Sequence, residues 1–269
     1  IPPFVMFLFS YILTIFGNLT IILVSHVDFK LHTPMYFFLR HLAFMDLGYS
    51  TTVGPKMLVN FVVDKNIISY YFCATQLAFF LVFIGSELFI LSAMSYDLYV
   101  AICNPLRYAT VLTDVRVAHN GISIVIRSFC MVFPLPFLLN RLPFCKASVV
   151  LAHSYCLHAD LIRLPCGDTT INSMYGLFIV ISAFGVDSLL ILLSYVLILH
   201  SVLAIASRGE RLKTLNTCVS HIYAVLIFYV PMVSVSMVHR FGRHAPEYVH
   251  KFMSLCTSNA LPNYLFHQD

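Results

Sequence analysis

"FVMFLFSYILTIFGNLTIILVSHV", residues 4–27, contains no Asp, Glu, Lys or Arg over its whole length. About 20 consecutive apolar residues are enough for a helix to cross the hydrocarbon core of a bilayer. The stretch therefore predicts a transmembrane helix, and several similar stretches follow it along the chain.

Composition extends this prediction to the whole chain. Of 269 residues, 59% are hydrophobic and only 10% are charged, whereas soluble domains carry about 25% charged residues. The apolar stretches are long and continuous, unlike the short alternating strands of a membrane β-barrel. The net charge of +4 is small and the basic residues are scattered, which argues against a nucleic-acid partner. The predicted surrounding of this chain is the lipid bilayer.

Seven apolar segments predict an all-α membrane protein, a seven-transmembrane helix bundle that occupies residues 1–269 as a single domain. The predicted spans are 4–27, 35–61, 73–104, 118–139, 173–206, 213–238 and 246–267. Pro34 is expected to open the second span and Pro105 to close the third, because proline is not tolerated in a helix interior. The connection at about residues 140–172 is then a long loop between the fourth and fifth spans.

Cysteine positions orient the chain, since the basic residues divide almost evenly between the two faces and the positive-inside rule barely discriminates. Cys73 begins the third span, and three more cysteines lie in the long loop on the same face, namely Cys145, Cys156 and Cys166. Disulfides persist outside the cytosol, so this face and the N-terminus are predicted to be extracellular. Four cysteines permit three pairings. A metal site with His153 and His158 is the alternative, but structural zinc spacing is missing, so we predict no metal and no cofactor.

Short motifs spread over nearly the whole chain carry a resemblance to a known family. They are "GN" at 17–18, "HTPMYFFL" at 32–39, "LAFMD" at 42–46, "SYDLYVAICNPLRY" at 95–108, "SY" at 194–195, "KTLNTCVSH" at 213–221 and "FYVP" at 228–231. Together they resemble the olfactory receptors, which are rhodopsin-like G-protein-coupled receptors. The long loop and "HRFG" at 239–242 resemble the fish-like class, whose ligands are often carboxylic acids, whereas the first hundred residues resemble the tetrapod-type class.

This resemblance implies a multi-pass receptor of the plasma membrane that binds a small-molecule odorant and signals through a stimulatory heterotrimeric G protein. It also implies disulfides between Cys73 and Cys156 and between Cys145 and Cys166, which would make the long loop a lid. For G-protein coupling it points to the triplet Asp97, Leu98 and Tyr99, in which family members have an arginine where Leu98 stands. Leucine has no charge and no hydrogen-bond donor, so we predict weak or absent activation of the G protein.

Ionisable residues inside spans are costly in a bilayer and are functional candidates for that reason. Asp46 lies in the second predicted span and Glu87 in the third, and the pair resembles the sodium-type allosteric site of rhodopsin-like receptors. A protonated pair that only satisfies hydrogen bonds is the alternative, because burial raises the pKa of a carboxyl group. Asp187, in the fifth predicted span, has no partner that the sequence identifies.

A predicted ligand site combines one face of the sixth span with an apolar wall. Tyr229, Ser236 and Arg240 are seven and then four residues apart and therefore share a helix face. Arginine suits a carboxylate ligand, and the resemblance to the fish-like class places such an arginine at Arg240; a snorkelling side chain at the lipid headgroups is the alternative. The rest of the predicted site consists of Phe80, Leu81, Ile84, Ile179 and His158. Leu81 stands where acid-binding relatives can have a histidine.

Other classes of function find little support. The sequence has no glycine-rich phosphate loop, HExxH or G-x-S-x-G motif, so we do not predict an enzyme. A channel or transporter would show polar residues along several pore-facing helices, or broken helices in two similar halves, and neither pattern is visible. The stronger alternative is a non-signalling or degraded relative of the receptors, which Leu98 makes worth testing.

Overall fold

The computed structural model describes residues 2–27, 33–63, 67–142, 148–150, 156, 158–162, 165–204 and 207–241. Over these residues the elements are α1 Pro2–Val27, α2 Pro34–Val63, β1 Ile67–Ser69, α3 Tyr70–Cys103, α4 Tyr108–Val111, α5 Asp114–Val132, α6 Pro134–Asn140, β2 Ser148–Val150, α7 His158–Leu161, α8 Thr170–Val180, α9 Asp187–Leu203 and α10 Arg208–Phe241. The predicted seventh span, 246–267, lies outside the described residues.

The first six predicted spans all appear as helices. The first, second and third are α1, α2 and α3, the fourth joins α5 to α6, the fifth joins α8 to α9, and the sixth is α10. The first, third, fourth and fifth are long and apolar enough to cross a membrane by these properties alone. Their outer faces carry large apolar side chains, such as Phe16 and Leu189, each 67% exposed. An apolar exterior of this kind suits lipid as the surrounding medium.

Two spans depart from the continuous helices that the sequence predicts. The fourth is interrupted at Phe133, directly before Pro134, because proline has no N–H to donate and its ring clashes with the preceding turn. The fifth contains a π-helical turn, Ile181–Val186, between α8 and α9. A π-helical turn adds one residue to the helix and is often found at functional sites.

The third span occupies the middle of the bundle. It packs against the second, fourth, fifth and sixth spans, and its side chains Leu77, Leu88 and Leu91 are almost fully buried. Polar contacts supplement this packing: the Gln76 side chain donates a hydrogen bond to the Thr52 carbonyl of α2 over 2.9 Å. Residues from all the neighbouring spans therefore converge on α3.

The long loop is attached to the end of α3 at which Cys73 lies. β1 pairs with β2 of the loop in an antiparallel register, Ile67 opposite Val150 and Ser69 opposite Ser148. Cys73 is joined to Cys156 by a disulfide, as the resemblance implied. The sequence analysis did not predict the two strands, because three residues are too few to display the alternation that identifies a strand.

Candidate functional site

The apolar side chains predicted to bind a ligand lie mostly in one cluster. Phe80 and Ile84 of α3 and Tyr229 of α10 are buried in it, and Leu81 packs against it. The Tyr229 ring meets the edge of Phe184, with ring centroids 5.8 Å apart at 88°. The third, fifth and sixth spans thus contribute to a common apolar region.

Ile179 lies in a different place from the other members of the predicted site. It is buried with Val132 and Leu135 of the fourth span. Leu81 contacts both this smaller group and the main cluster. Phe184 is the fifth-span side chain that faces Tyr229, and sequence reasoning missed it because the π-helical turn shifts the face that a regular helix would present.

The long loop covers the same apolar cluster. Cys156 and Leu161 are buried members of it, and His158 begins α7 as a half-buried residue. Because Cys156 is bonded to Cys73, its sulfur is not available as a metal ligand. Cys166 is also disulfide-bonded, and its predicted partner Cys145 and the predicted ligand His153 lie outside the described residues.

The mouth of the predicted site is described only by its backbone. Ser236 and Arg240 continue α10 beyond Tyr229, which agrees with the spacing that places the three residues on one helix face. Their side chains lie outside the part of the chain that the structure describes.

Asp46 and Glu87 face each other across the second and third spans. Asp46 is 2% and Glu87 0% exposed, and the two carboxyl groups lie close enough to interact. Both Glu87 oxygens and one Asp46 oxygen make no hydrogen bond of good geometry with any described residue. Buried oxygens without partners are costly, so this position calls for a proton or a cation between the carboxyl groups.

Asp97 has a partner that the sequence analysis did not identify. The Tyr108 hydroxyl of α4 donates a hydrogen bond to the Asp97 carboxylate over 3.0 Å. Burial, together with the neighbouring Asp97 charge, raises the pKa of Tyr108 above its ordinary value, so the phenol keeps its proton. The residue missing from the triplet therefore does not leave Asp97 without a hydrogen bond.

Leu98 packs into an apolar cluster between three spans. The buried members of this cluster are Ile198 and Val202 of α9 and Cys218 of α10, and Leu98 packs against them. Beside it the Tyr195 hydroxyl is hydrogen-bonded to His221, which joins the fifth and sixth spans. At the Asp97 end of the bundle, the position of the missing arginine is thus filled by apolar packing.

Comparison with known proteins identifies the family. The family model described as "Olfactory receptor" matches residues 7–262. The chain belongs to the olfactory receptor family. It is 53% identical to human "Olfactory receptor 51I2" over 244 residues, which are 91% of this chain and 78% of that protein. It is 52% identical to human "Olfactory receptor 51G1" over 92% of this chain and 77% of the relative, and 54% identical to human "Olfactory receptor 8K3" over 85% and 72%.

Membership confirms the predicted fold class and the general function. Olfactory receptors are seven-helix G-protein-coupled receptors that bind odorants, and they are not enzymes. The apolar spans fit a multi-pass membrane protein, and the Cys73–Cys156 disulfide fits the predicted loop attachment.

This olfactory receptor also contains an ion pair inside the membrane that sequence reasoning missed. Arg127 of the fourth span lies 3.8 Å from Asp187 of the fifth, measured from guanidinium nitrogen to carboxylate oxygen. The guanidinium carbon stands 3.4 Å from the ring centroid of Phe89. A usable signal was present, because each residue is the only Asp, Glu, Lys or Arg in its predicted span, 118–139 and 173–206. Two lone opposite charges in neighbouring spans are expected to pair.

Proposed function

We propose that this receptor binds a small, mostly apolar odorant between its third, fifth and sixth spans, below the long loop. The observation that carries the proposal is the single apolar cluster that includes Phe80, Ile84 and Tyr229 and extends to Leu161 of the loop. Binding sites for small molecules are mostly apolar, with few polar groups for orientation. Leu81 and Ile179 would extend the wall toward the fourth span, and His158 would face the site from the loop.

The receptor is proposed to lie in the plasma membrane with the loop and the N-terminus outside the cell. The Cys73–Cys156 disulfide supports this orientation, because such a bond persists on the oxidising side of the membrane. With the N-terminus outside the cell, the third span runs from the extracellular side to the cytosol, so the Asp97 end of α3 faces the cytosol. A disulfide between Cys145 and Cys166 belongs to the same proposal.

Ligand recognition is proposed to involve Arg240 and Ser236 at the mouth of the site. Their spacing from Tyr229 along α10 supports a shared helix face. A guanidinium group binds a carboxylate through two parallel hydrogen bonds, and a hydroxyl one turn deeper would accept or donate a third. Short carboxylic acids are therefore one proposed ligand class, beside neutral odorants held by the apolar wall.

Asp46 and Glu87 are proposed to hold a cation, or to share a proton, between the second and third spans. The full burial of both carboxyl groups and their closeness to each other support this proposal. Sodium is the cation that such a pair of carboxylates would take in a receptor of this family. Occupancy would hold the two spans together.

Stimulatory G-protein coupling is proposed to be weak, which makes a ligand-binding receptor with little signalling the second candidate. The packing of Leu98 against Ile198 and Val202 favours it, since the side chain offers no donor to a G protein and is engaged elsewhere. Asp97 and Tyr99 complete the triplet on either side.

One experiment tests both candidates. The receptor is expressed with an extracellular tag, its surface level is measured, and cyclic AMP is recorded against an odorant panel alongside direct binding. Binding with little cyclic AMP supports the second candidate, a ligand-binding receptor with little signalling. Binding with a full cyclic AMP response supports the first candidate and contradicts the proposal of weak coupling. Surface expression without binding of any odorant contradicts the proposed ligand site.

A further inference from the structure

The ion pair between Arg127 and Asp187 balances charge in the membrane interior. Asp187 is fully buried, whereas the Arg127 side chain is 37% exposed on the outer surface of the bundle. The Phe89 ring below the guanidinium adds a cation–π contact. Because a single ionised group is very costly in hydrocarbon, each partner accounts for the presence of the other, and Asp187 is expected to be a carboxylate.

Charge balance still leaves the Asp187 oxygens without hydrogen bonds. The distance of 3.8 Å to Arg127 is too long for one, and neither oxygen has another donor among the described residues. An ionised carboxylate can only accept hydrogen bonds. Asp187 is therefore a fully buried acceptor, next to an apolar cluster, that makes no hydrogen bond with the described residues.

A second buried polar group lies beside it. The Tyr229 hydroxyl is buried, interacts electrostatically with Asp187, and lies near Ser188. It makes no hydrogen bond of good geometry within the described chain. The Tyr229 ring rests against Phe184 of the π-helical turn, which ends directly before Asp187. The turn thus brings an acceptor of the fifth span to a phenol of the sixth.

We propose that Asp187 and Tyr229 form a hydroxyl-binding floor of the odorant pocket, so that the receptor prefers aliphatic alcohols to carbonyl compounds of equal length. The inference rests on the proposed odorant site. The alcohol hydroxyl donates a hydrogen bond to an Asp187 oxygen and accepts one from the Tyr229 hydroxyl, so both protein groups gain a partner. An aldehyde or ketone has no proton to donate. A carboxylate is repelled by the Asp187 charge and must place its head at the other end of the pocket.

Arg127 is a positioning residue in this arrangement. It keeps Asp187 ionised and in place without facing the ligand, since it lies on the outer surface. A receptor in which both Arg127 and Asp187 are replaced by leucine is expected to fold, because replacing a buried ion pair with apolar residues often leaves stability unchanged. It would nevertheless lack the acceptor, so folding and alcohol preference are separable.

The experiment uses the full-length receptor in lipid nanodiscs and measures binding as a thermal shift in the presence of 1-octanol, octanal or octanoic acid. The expected result is about tenfold tighter binding of 1-octanol than of octanal, the effect of a hydrogen bond to a charged group. Asp187→Asn and the double variant Arg127→Leu with Asp187→Leu should each lower 1-octanol affinity to the level of octanal, whereas Tyr229→Phe, which removes a donor that both probes can use, should weaken the binding of both. Asp168→Asn, in an exposed loop, and Tyr223→Phe, on the exposed face of α10, are the matched controls.

Each other outcome has a distinct meaning. Equal binding of 1-octanol and octanal to the unmodified receptor overturns the hydroxyl-binding floor and leaves the proposed odorant site intact. Equal losses for both probes in the two Asp187 variants reduce Asp187 to a structural role and also overturn it. No binding of any probe contradicts the proposed site and this inference together. If Asp187→Asn does not fold, the double leucine variant decides, because it removes the acceptor and is expected to fold.

Discussion

The two ends of α3 are fastened by different kinds of interaction. At the Cys73 end a disulfide and the pairing of β1 with β2 attach the third span to the long loop. At the Asp97 end the span is held by apolar packing of Leu98 and by one hydrogen bond, from Tyr108 to Asp97. The first set of contacts survives a change of helix packing, whereas the second depends on it.

This difference separates the proposed ligand site from the proposed site of G-protein coupling. The Cys73 end combines a covalent loop attachment with an apolar cluster and buried polar groups, which is the composition of a small-molecule site. At the Asp97 end, Leu98 stands where the resemblance implies an arginine, and it packs against the fifth and sixth spans. Ligand binding and G-protein activation are therefore expected to respond differently to mutation.

The largest effect is expected at the covalent end. Cys73→Ser and Cys156→Ser should each remove surface expression, because losing a disulfide from a long loop costs about 2–5 kcal/mol. The double variant should be no worse than either single variant, since both remove the same bond. Flow cytometry against an extracellular tag measures the result. Cys130→Ser, an exposed free cysteine, is the control, and additive losses would show that the two cysteines are not partners.

The sequence predicted the helices well because the bilayer imposes a simple rule on them. A span must be apolar over about 20 residues, so α3 ends at Cys103, one residue before the prediction. Pro134 explains the break that precedes it, but a proline alone did not predict a break, because Pro55 lies inside the uninterrupted helix α2. The π-helical turn at Ile181–Val186 has no sequence signal of its own. The seventh span stays a prediction.

The candidate site was less predictable because its contacts join distant parts of the chain. The periodicity of α10 pointed to Tyr229, but the same reasoning did not find Phe184, whose direction depends on the π-helical turn. Asp187 was noticed as a buried acid, and only the packing of the fourth span against the fifth showed its partner Arg127. Tyr108 was missed because it begins a short helix after the third span ends.

A smaller effect, confined to one ligand class, is expected at the mouth of the site. Arg240→Ala should abolish responses to short carboxylic acids and spare neutral ligands, because truncating one partner of a buried charge pair costs about 2–5 kcal/mol. This corresponds to a shift in potency of well over tenfold. Dose–response curves for paired acids and alcohols measure it, with Arg208→Ala on the exposed start of α10 as control. Equal losses for both classes would exclude a role in carboxylate recognition.

The effect at the Asp97 end is expected to be a gain. Leu98→Arg should raise the cyclic AMP response of the surface-expressed receptor severalfold, because it restores a donor to the G-protein contact and removes apolar packing with Ile198 and Val202. Leu98→Ala removes the packing without adding the charge and serves as the matched control. A rise in both variants would mean that loosening the cluster is sufficient. Silence in both, with ligand binding intact, would mean that Leu98 is not the residue that limits coupling.

The smallest effect is expected for the remaining polar contact at this end. Tyr108→Phe removes the hydroxyl that donates to Asp97 over 3.0 Å, and a hydrogen bond to a charged group contributes about 1.5–3 kcal/mol before any water replaces it. Because Tyr108 is only half buried, water can reach Asp97 after the change, and we expect a loss of about 1 kcal/mol in unfolding free energy. Thermal denaturation in nanodiscs measures it, with Tyr96→Phe, a tyrosine 47% exposed, as control.

The raised pKa of Tyr108 means that the contact persists below its ordinary pKa and weakens only as the pH rises above that value. The difference between the two proteins should therefore be the same at pH 8 and pH 9, and a difference that disappears at pH 9 would show that the Tyr108 phenol loses its proton in the folded receptor.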